Sequence, residues 1–367
     1  MQKSYRSTDT RLIAVSGLGP KEPAAFVVET AGRRLLLDCG EGAEAGRLPD
    51  FAAIGRVDAI VLSHGHKDHA GALRFRDRIG NPPVHATAPV LARLKDDVAG
   101  HEIPICGTAD LLGISIETGR NGHAPGGVWL RLSVGEGLIY MADCSLESPL
   151  YAFDHPPATP TAIIDASYGD AEELLEQQRK EIADIVAAGP ALLPVPPDGR
   201  GPEIAMCLFE AGFEVSIDRE VRSVATMLIQ SARPSARPEA VARLERLLTE
   251  ARPLDENAPP RGAMVAHGAS GDIGVAASLI KRWHNESEPT ILFTGHVGAD
   301  STGKKLLDSG RARFRRWNVH PRFSDNLRLI ERLASKRVVP AFGEPKHLSA
   351  WRARLGPRIV SSTPITV

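Results

Sequence analysis

Cysteine is scarce in this chain: four in 367 residues, at positions 39, 106, 144 and 207, with no Cys-x-x-Cys pair. That excludes a disulfide scaffold and a thiolate-held zinc. Cys39 and Cys144 each follow an aspartate directly and read as small buried fillers. Net charge is nearly absent too, at −1 overall, so the molecule is no polycation and any nucleic-acid surface must be local. No apolar run approaches the roughly 20 residues needed to cross a bilayer. The stretch Met1 to Arg6 lacks the apolar core of a secretory leader. The expectation is no membrane partner and a cytoplasmic location.

What is present is an ordinary globular composition, 43% apolar and 24% charged, in a chain long enough for two domains or one large domain with an insertion. One stretch departs from the ordinary: Ser63-His64-Gly65-His66-Lys67-Asp68-His69. Three histidines and an aspartate fall within the six positions 64–69. The apolar run Ile60-Val61-Leu62 before them reads as a buried strand, and Ala70-Gly71-Ala72-Leu73 after them can continue into a helix. Imidazoles two residues apart at such a turn point the same way. Nitrogen and carboxylate donors at this density suit a divalent transition metal, zinc first.

The first half reads as short strands, among them Leu12 to Val15, Ala25 to Val28, Leu35 to Asp38, Val57 to Leu62, Val128 to Leu132, Leu138 to Met141 and Ala162 to Asp165. Helices are expected near 68–78 and 88–97. Asp38, Asp143 and Asp165 each close an apolar run, which suggests strand ends converging on one site. From about 170 the pattern changes to alternating helices and strands, as in a separate α/β unit. Ala232 to Arg237 and Ala251 to Arg261, rich in proline and arginine, read as surface loops. After His320 the first texture returns, so the simplest organisation is a domain interrupted by another.

The cluster His64-Gly65-His66-Lys67-Asp68-His69 resembles the signature of the metallo-β-lactamase superfamily. Asp38, then Gly122-His123-Ala124-Pro125-Gly126, then Ala142-Asp143 fit its other motifs in order. The later half resembles the β-CASP nuclease branch. Asp165-Ala166-Ser167-Tyr168-Gly169 fits its acidic motif, Gly199-Arg200-Gly201-Pro202-Glu203 its Gly-Arg-x-x-Glu turn, and Thr294-Gly295 with Ser301-Thr302-Gly303 another of its loops. His320 fits its histidine motif, and Val339-Pro340-Ala341-Phe342-Gly343-Glu344 its last motif.

The resemblance implies an α/β fold: a metallo-β-lactamase αββα sandwich formed by residues 1–168 plus 319–367, with a β-CASP-like α/β domain inserted over 169–318. It implies that His64, His66, His123 and Asp143 hold one zinc and that Asp68, His69 and Asp143 hold a second, with Mn²⁺ as another candidate metal. Asp38 would support a ligand histidine. A metal-activated hydroxide would attack phosphorus, with Asp68 in the catalytic set, His320 as general acid and Asp165 orienting it. The implied substrate is nucleic acid; protein partners are not indicated.

One departure concerns residue 342, which lies 22 positions beyond His320. The RNA-processing members carry a metal-binding histidine there, whereas the DNA-repair members carry an apolar residue and an aspartate at the acidic motif. Phe342 and Asp165 thus lean towards DNA, Tyr168-Gly169 and Gly343-Glu344 resemble the RNA branch more, and DNA is favoured slightly. The second site would then use fewer protein ligands, be weakly occupied, or recruit His347. The run Arg311-Ala312-Arg313-Phe314-Arg315-Arg316-Trp317 precedes His320. On a strand, Arg311, Arg313 and Arg315 share one face, suited to a phosphodiester backbone or to protecting a sheet edge. Two further readings stay open: a hydrolase of small esters, thioesters or lactams, and a non-catalytic scaffold subunit.

Overall fold

The computed structural model describes residues 10–367 except Lys21, Ala45, residues 95–97 and Ala99. The segment Met1 to Arg6 and the end of the helix expected near 88–97 lie outside the described residues. The chain divides into two compact units. One comprises Met1–Leu146, Phe153–Glu172 and His320–Val367; the other comprises Glu147–Ala152 and Glu173–Val319.

The first unit is built on two sheets. Seven strands run in the order Ile365–Thr366, Arg11–Ser16, Ala25–Thr30, Arg33–Leu37, Ala59–Val61, Val84–Ala86 and Gly100–Glu102. Six run in the order Arg337–Ala341, Thr161–Asp165, Leu138–Tyr140, Val128–Leu132, Ile114–Arg120 and Gly107–Leu111. Successive side chains on a strand point to opposite faces, and here both faces are covered. Phe26, Leu35, Leu37 and Val61 meet Ile116, Leu130, Tyr140 and Ile163 between the sheets. Val27, Leu36 and Ile60 turn the other way, onto Phe51, Ile54 and Leu73. Ile139, Ile164 and Val338 leave the second sheet to meet Ile330 and Leu333 of the helix Phe323–Leu333, and Trp351 of the helix Leu348–Leu355. Helix, sheet, sheet and helix form the αββα sandwich that the sequence implies. Burial on both faces explains why these strands are apolar runs rather than alternating patterns. Each fully buried Leu, Ile or Phe contributes about 1.5–3 kcal/mol.

The second unit is a parallel six-stranded sheet in the order Arg252–Pro253, Val215–Ile217, Ala263–His267, Ala191–Val195, Thr290–Phe293 and Arg313–Phe314. Leu193, Val195 and Val265 pack under the helices Leu175–Ala187, Arg200–Glu210, Arg219–Ile229 and Pro238–Glu250. Leu192, Met264 and Phe293 pack on the helix Gly274–Trp283.

Three local expectations change. The stretch 68–78 is not one helix: Lys67–Ala70 stops at Gly71, where a side chain would collide with the Lys67 carbonyl, and Leu73–Ile79 is a kinked 3₁₀ segment. Ala232 to Arg237 is no surface loop throughout, because Ala232, Ser235 and Ala236 are buried in the second unit's core. The strands Gly107–Leu111 and Ile114–Arg120 were not anticipated.

Candidate metal centre

The site lies where strands of both sheets of the first unit end. Strand Arg33–Leu37 delivers Asp38, Ala59–Val61 delivers the turn at 63–69, Leu138–Tyr140 delivers Asp143, Thr161–Asp165 ends in Asp165, and Arg337–Ala341 delivers Phe342. Three residues just past these strands, Asp38, Ala142 and Phe342, have φ of 57°, 50° and 64°. Left-handed backbone is unusual for a phenylalanine, and such strain collects where a fold must aim particular side chains.

The turn is anchored by its backbone. Cys39 N–H donates to the His69 carbonyl at 2.8 Å, Ala24 N–H to the Asp68 carbonyl at 2.8 Å, and Val128 N–H to the Ser63 carbonyl at 2.9 Å. Gly122, with φ of 72°, brings the His123 loop against Ser145, where a Cβ would lie 2.1 Å from the Ser145 carbonyl oxygen. That approach holds the His123 loop next to the segment bearing Asp143, and Ser145 N–H donates to the Asn121 carbonyl at 2.9 Å.

The donors converge. One atom from each of His64, His66, His123 and Asp143 lies within 4.8 Å of the others. The same holds for Asp68, His69 and Asp143, and for Asp143, Asp165 and His320. Asp143 is common to all three groups. His123 Nε2 lies 3.1 Å from His66 Nδ1, and His69 Nε2 lies 3.3 Å from Asp143 Oδ1. His64 is fully buried, and its Nε2 has no hydrogen-bond partner. A buried polar atom left so is costly unless something else satisfies it. A divalent cation does, so these residues fit a metal; zinc-like ligation suits the imidazole-rich group.

Electrostatics separate the two inner histidines. Burial drives the His64 pKa well below the imidazole range, and the neighbouring rings of His69, His66 and His123 push the same way. For His69 burial also works against charge, but Asp143 and Asp38 overcome it and raise the pKa well above that range. Asp143 is itself held well below the carboxylate range: burial opposes this, and His69 and His320 prevail. A proton on His69 and a metal cation would thus compete for the same carboxylate field.

Asp38 stands behind His69 and is wholly buried. Its Oδ2 lies 2.7 Å from His69 Nδ1 and accepts from Tyr140 Oη at 2.6 Å and Ser63 Oγ at 2.7 Å; its Oδ1 accepts from Ser63 N–H at 2.7 Å. That fixes the ring so that Nε2 faces the cluster. Asp165 treats His320 likewise, with Oδ2 at 2.8 Å from His320 Nδ1. Asp165 is oriented by the backbone N–H groups of Cys144 and Ser167, each at 3.0 Å. The His320 ring lies 5.1 Å from His123 and 4.9 Å, edge-on, from Tyr168.

A family model for the metallo-β-lactamase superfamily matches residues 18–189. Over that stretch, just under half of its length, the chain is similar to that superfamily. Its relatives accord with the β-CASP branch. Ribonuclease TTHA0252 of Thermus thermophilus is 28% identical, over 77% of this chain and 78% of that protein. Transcription termination factor FttA of Methanothermobacter thermautotrophicus is 23% identical over 65% of this chain and 46% of its own. Cleavage and polyadenylation specificity factor subunit 2 of Arabidopsis thaliana is 26% identical over 82% of this chain and 50% of its own. The chain thus spans about half the length of the last two. A crystal structure of a protein of unknown function from Enterococcus faecalis V583 shares the fold, with a TM-score of 0.61 at 12% identity, covering 98% of this chain and 100% of that one.

Two of the sequence readings left open differ from the structure. His347 lies in none of the donor groups among the described residues; its Nδ1 is 2.8 Å from Asp170 Oδ1. Its place five residues past Phe342, on a separate 3₁₀ turn, directs it elsewhere. Arg311, Arg313 and Arg315 do not line one strand: the strand there is only Arg313–Phe314, and Arg315 is paired with Glu173 and Glu181. Ser63 and Tyr140 were given no role from sequence. Tyr140 left one signal, a lone hydroxyl in an otherwise aliphatic buried strand.

Proposed function

We propose that this chain is a metal-dependent phosphodiesterase acting as a nuclease, with a divalent metal, zinc in the first instance, held by His64, His66, His123 and Asp143. Asp68, His69 and Asp143 offer a second, weaker position, because the Phe342 ring packs 5.3 Å from the His69 ring and brings no donor. A metal bound there supplies Lewis acidity and lowers the pKa of water. The chain's own residues do the rest. Asp38 keeps the His69 ring turned toward the cluster. Asp165 commits Nδ1 of His320, so proton transfer to a leaving oxygen runs through Nε2. The observation that carries this reading is the convergence of buried imidazoles and carboxylates with a carboxylate-backed histidine beside them.

The relatives' names speak of a ribonuclease, of transcription termination and of polyadenylation, and we take RNA as the first substrate. DNA remains the second reading, because Phe342 and Asp165 favour it. A cytoplasmic location is part of the same proposal. The test uses end-labelled RNA, single-stranded DNA and duplex DNA with protein loaded with Zn²⁺ or Mn²⁺. Metal-dependent cleavage of RNA above DNA is expected. Cleavage of DNA alone reverses the substrate order, and hydrolysis of small esters without any of the polymers overturns the nuclease reading.

A further inference from the structure

Four large apolar side chains stand well exposed among the described residues, and Phe314, 52% exposed, is the one aromatic among them. It sits on the edge strand Arg313–Phe314 of the second unit's sheet. Arg311 and Arg313 beside it are exposed, and their guanidinium groups make no hydrogen bond or ion pair among the described residues. Arg315 differs: Glu173 and Glu181 neutralise it, so it fixes the segment rather than adding free charge. Phe314 and Arg313 border an open depression of about 450 Å³, with Ile185 of the helix Leu175–Ala187 and Ala188 just past its end on the other side. Asp184, also at the rim, is the one carboxylate there outside the Arg315 pairs.

Edge protection accounts for arginines on a terminal strand. It does not account for a phenylalanine between them, because an exposed apolar ring on an open edge invites the association that charge prevents. A ring with flanking unpaired guanidinium groups does match a single-stranded polynucleotide, whose bases stack on aromatic faces while arginines meet the phosphates. We infer that Phe314 is a stacking platform for unpaired nucleobases, with Arg311 and Arg313 holding the adjoining backbone. This rests on the nuclease reading above and names an additional contact for its substrate.

The experiment measures fluorescence anisotropy of a labelled single-stranded RNA 20-mer, its DNA equivalent and an abasic phosphodiester oligomer, in chelator, with the full chain. Hydrolysis of bis(p-nitrophenyl) phosphate by metal-loaded protein is followed in parallel. Phe314→Ala should weaken binding of the base-bearing strands about tenfold, leave the abasic oligomer unchanged, and leave bis(p-nitrophenyl) phosphate hydrolysis at the wild-type rate. Phe314→Trp should restore binding. Arg311→Ala with Arg313→Ala should weaken all three oligomers and flatten the salt dependence. Equal binding by Phe314→Ala and wild type overturns the platform, as does an equal loss for the abasic oligomer. Binding of an acidic peptide that depends on Phe314 while the strands bind unchanged also overturns it. Absence of phosphodiester hydrolysis in the wild type counts against the nuclease reading alone.

Discussion

Asp38 and Glu203 are carboxylates sealed from solvent, one in each unit, and the fold uses them differently. Asp38 accepts from Ser63 and Tyr140, and its remaining contact is a histidine whose other nitrogen faces further donors. Glu203 takes the hydroxyl of Ser148 and the indole N–H of Trp317 at 2.6 Å, with no further hydrogen bond among the described residues. Burial raises the Glu203 pKa despite both bonds and the nearby charges of Arg179 and Arg200. Among the described residues every group of converging donors lies in the first unit. A buried charge alone is therefore a poor marker of function. The informative case is a buried charge that orients a second titratable group toward a third.

Substitutions sharpen this contrast. The largest effect is expected from His64→Ala or Asp143→Ala, which should bring metal-dependent hydrolysis to background and lower bound metal, read by turnover and elemental analysis. His320→Ala should cut turnover about 10²–10⁴-fold while metal content stays at the wild-type level; equal loss of metal would make His320 a ligand instead. Asp38→Asn should weaken metal affinity about 10–100-fold in a chelator competition, since the amide no longer enforces the His69 tautomer. Glu203→Gln should leave turnover and metal content unchanged. Because the Glu203 pKa is raised in the folded state, wild-type folding loses stability as pH rises from below the ordinary carboxylate range up through the raised value. Glu203→Gln removes that loss, so its melting temperature at neutral pH should equal or exceed the wild type's, whereas Asp38→Asn should lower it. A large destabilisation by Glu203→Gln would break the comparison.

The two halves of the site differ in how far the sequence reveals them. His64, His66, Asp68 and His69 share one turn, so spacing alone displays the donors. Asp38, Asp143 and Asp165 were visible as carboxylates ending apolar runs. The Tyr140 to Asp38 bond spans 102 positions, and no local pattern encodes it. Arg315 left the arginine row for the same reason: it meets Glu173 across 142 positions, so its charge is spent in the fold rather than offered to a ligand. The strands of the sandwich were legible because strands buried on both faces are apolar without interruption; their arrangement came from the resemblance to the metallo-β-lactamase superfamily. The strand Gly107–Leu111 was not, because it is a largely exposed edge. The 68–78 segment shows apolar spacing, but its second part is a 3₁₀ segment with non-helical backbone at Phe75.

The central claim is that buried imidazoles and carboxylates of the first unit hold a divalent cation. Elemental analysis by plasma mass spectrometry, on protein purified without chelator, measures it directly. The account predicts at least one zinc or other divalent transition metal per wild-type chain and a clear loss in His64→Ala. A wild-type content well below one per chain, or a content indifferent to His64→Ala, would contradict it.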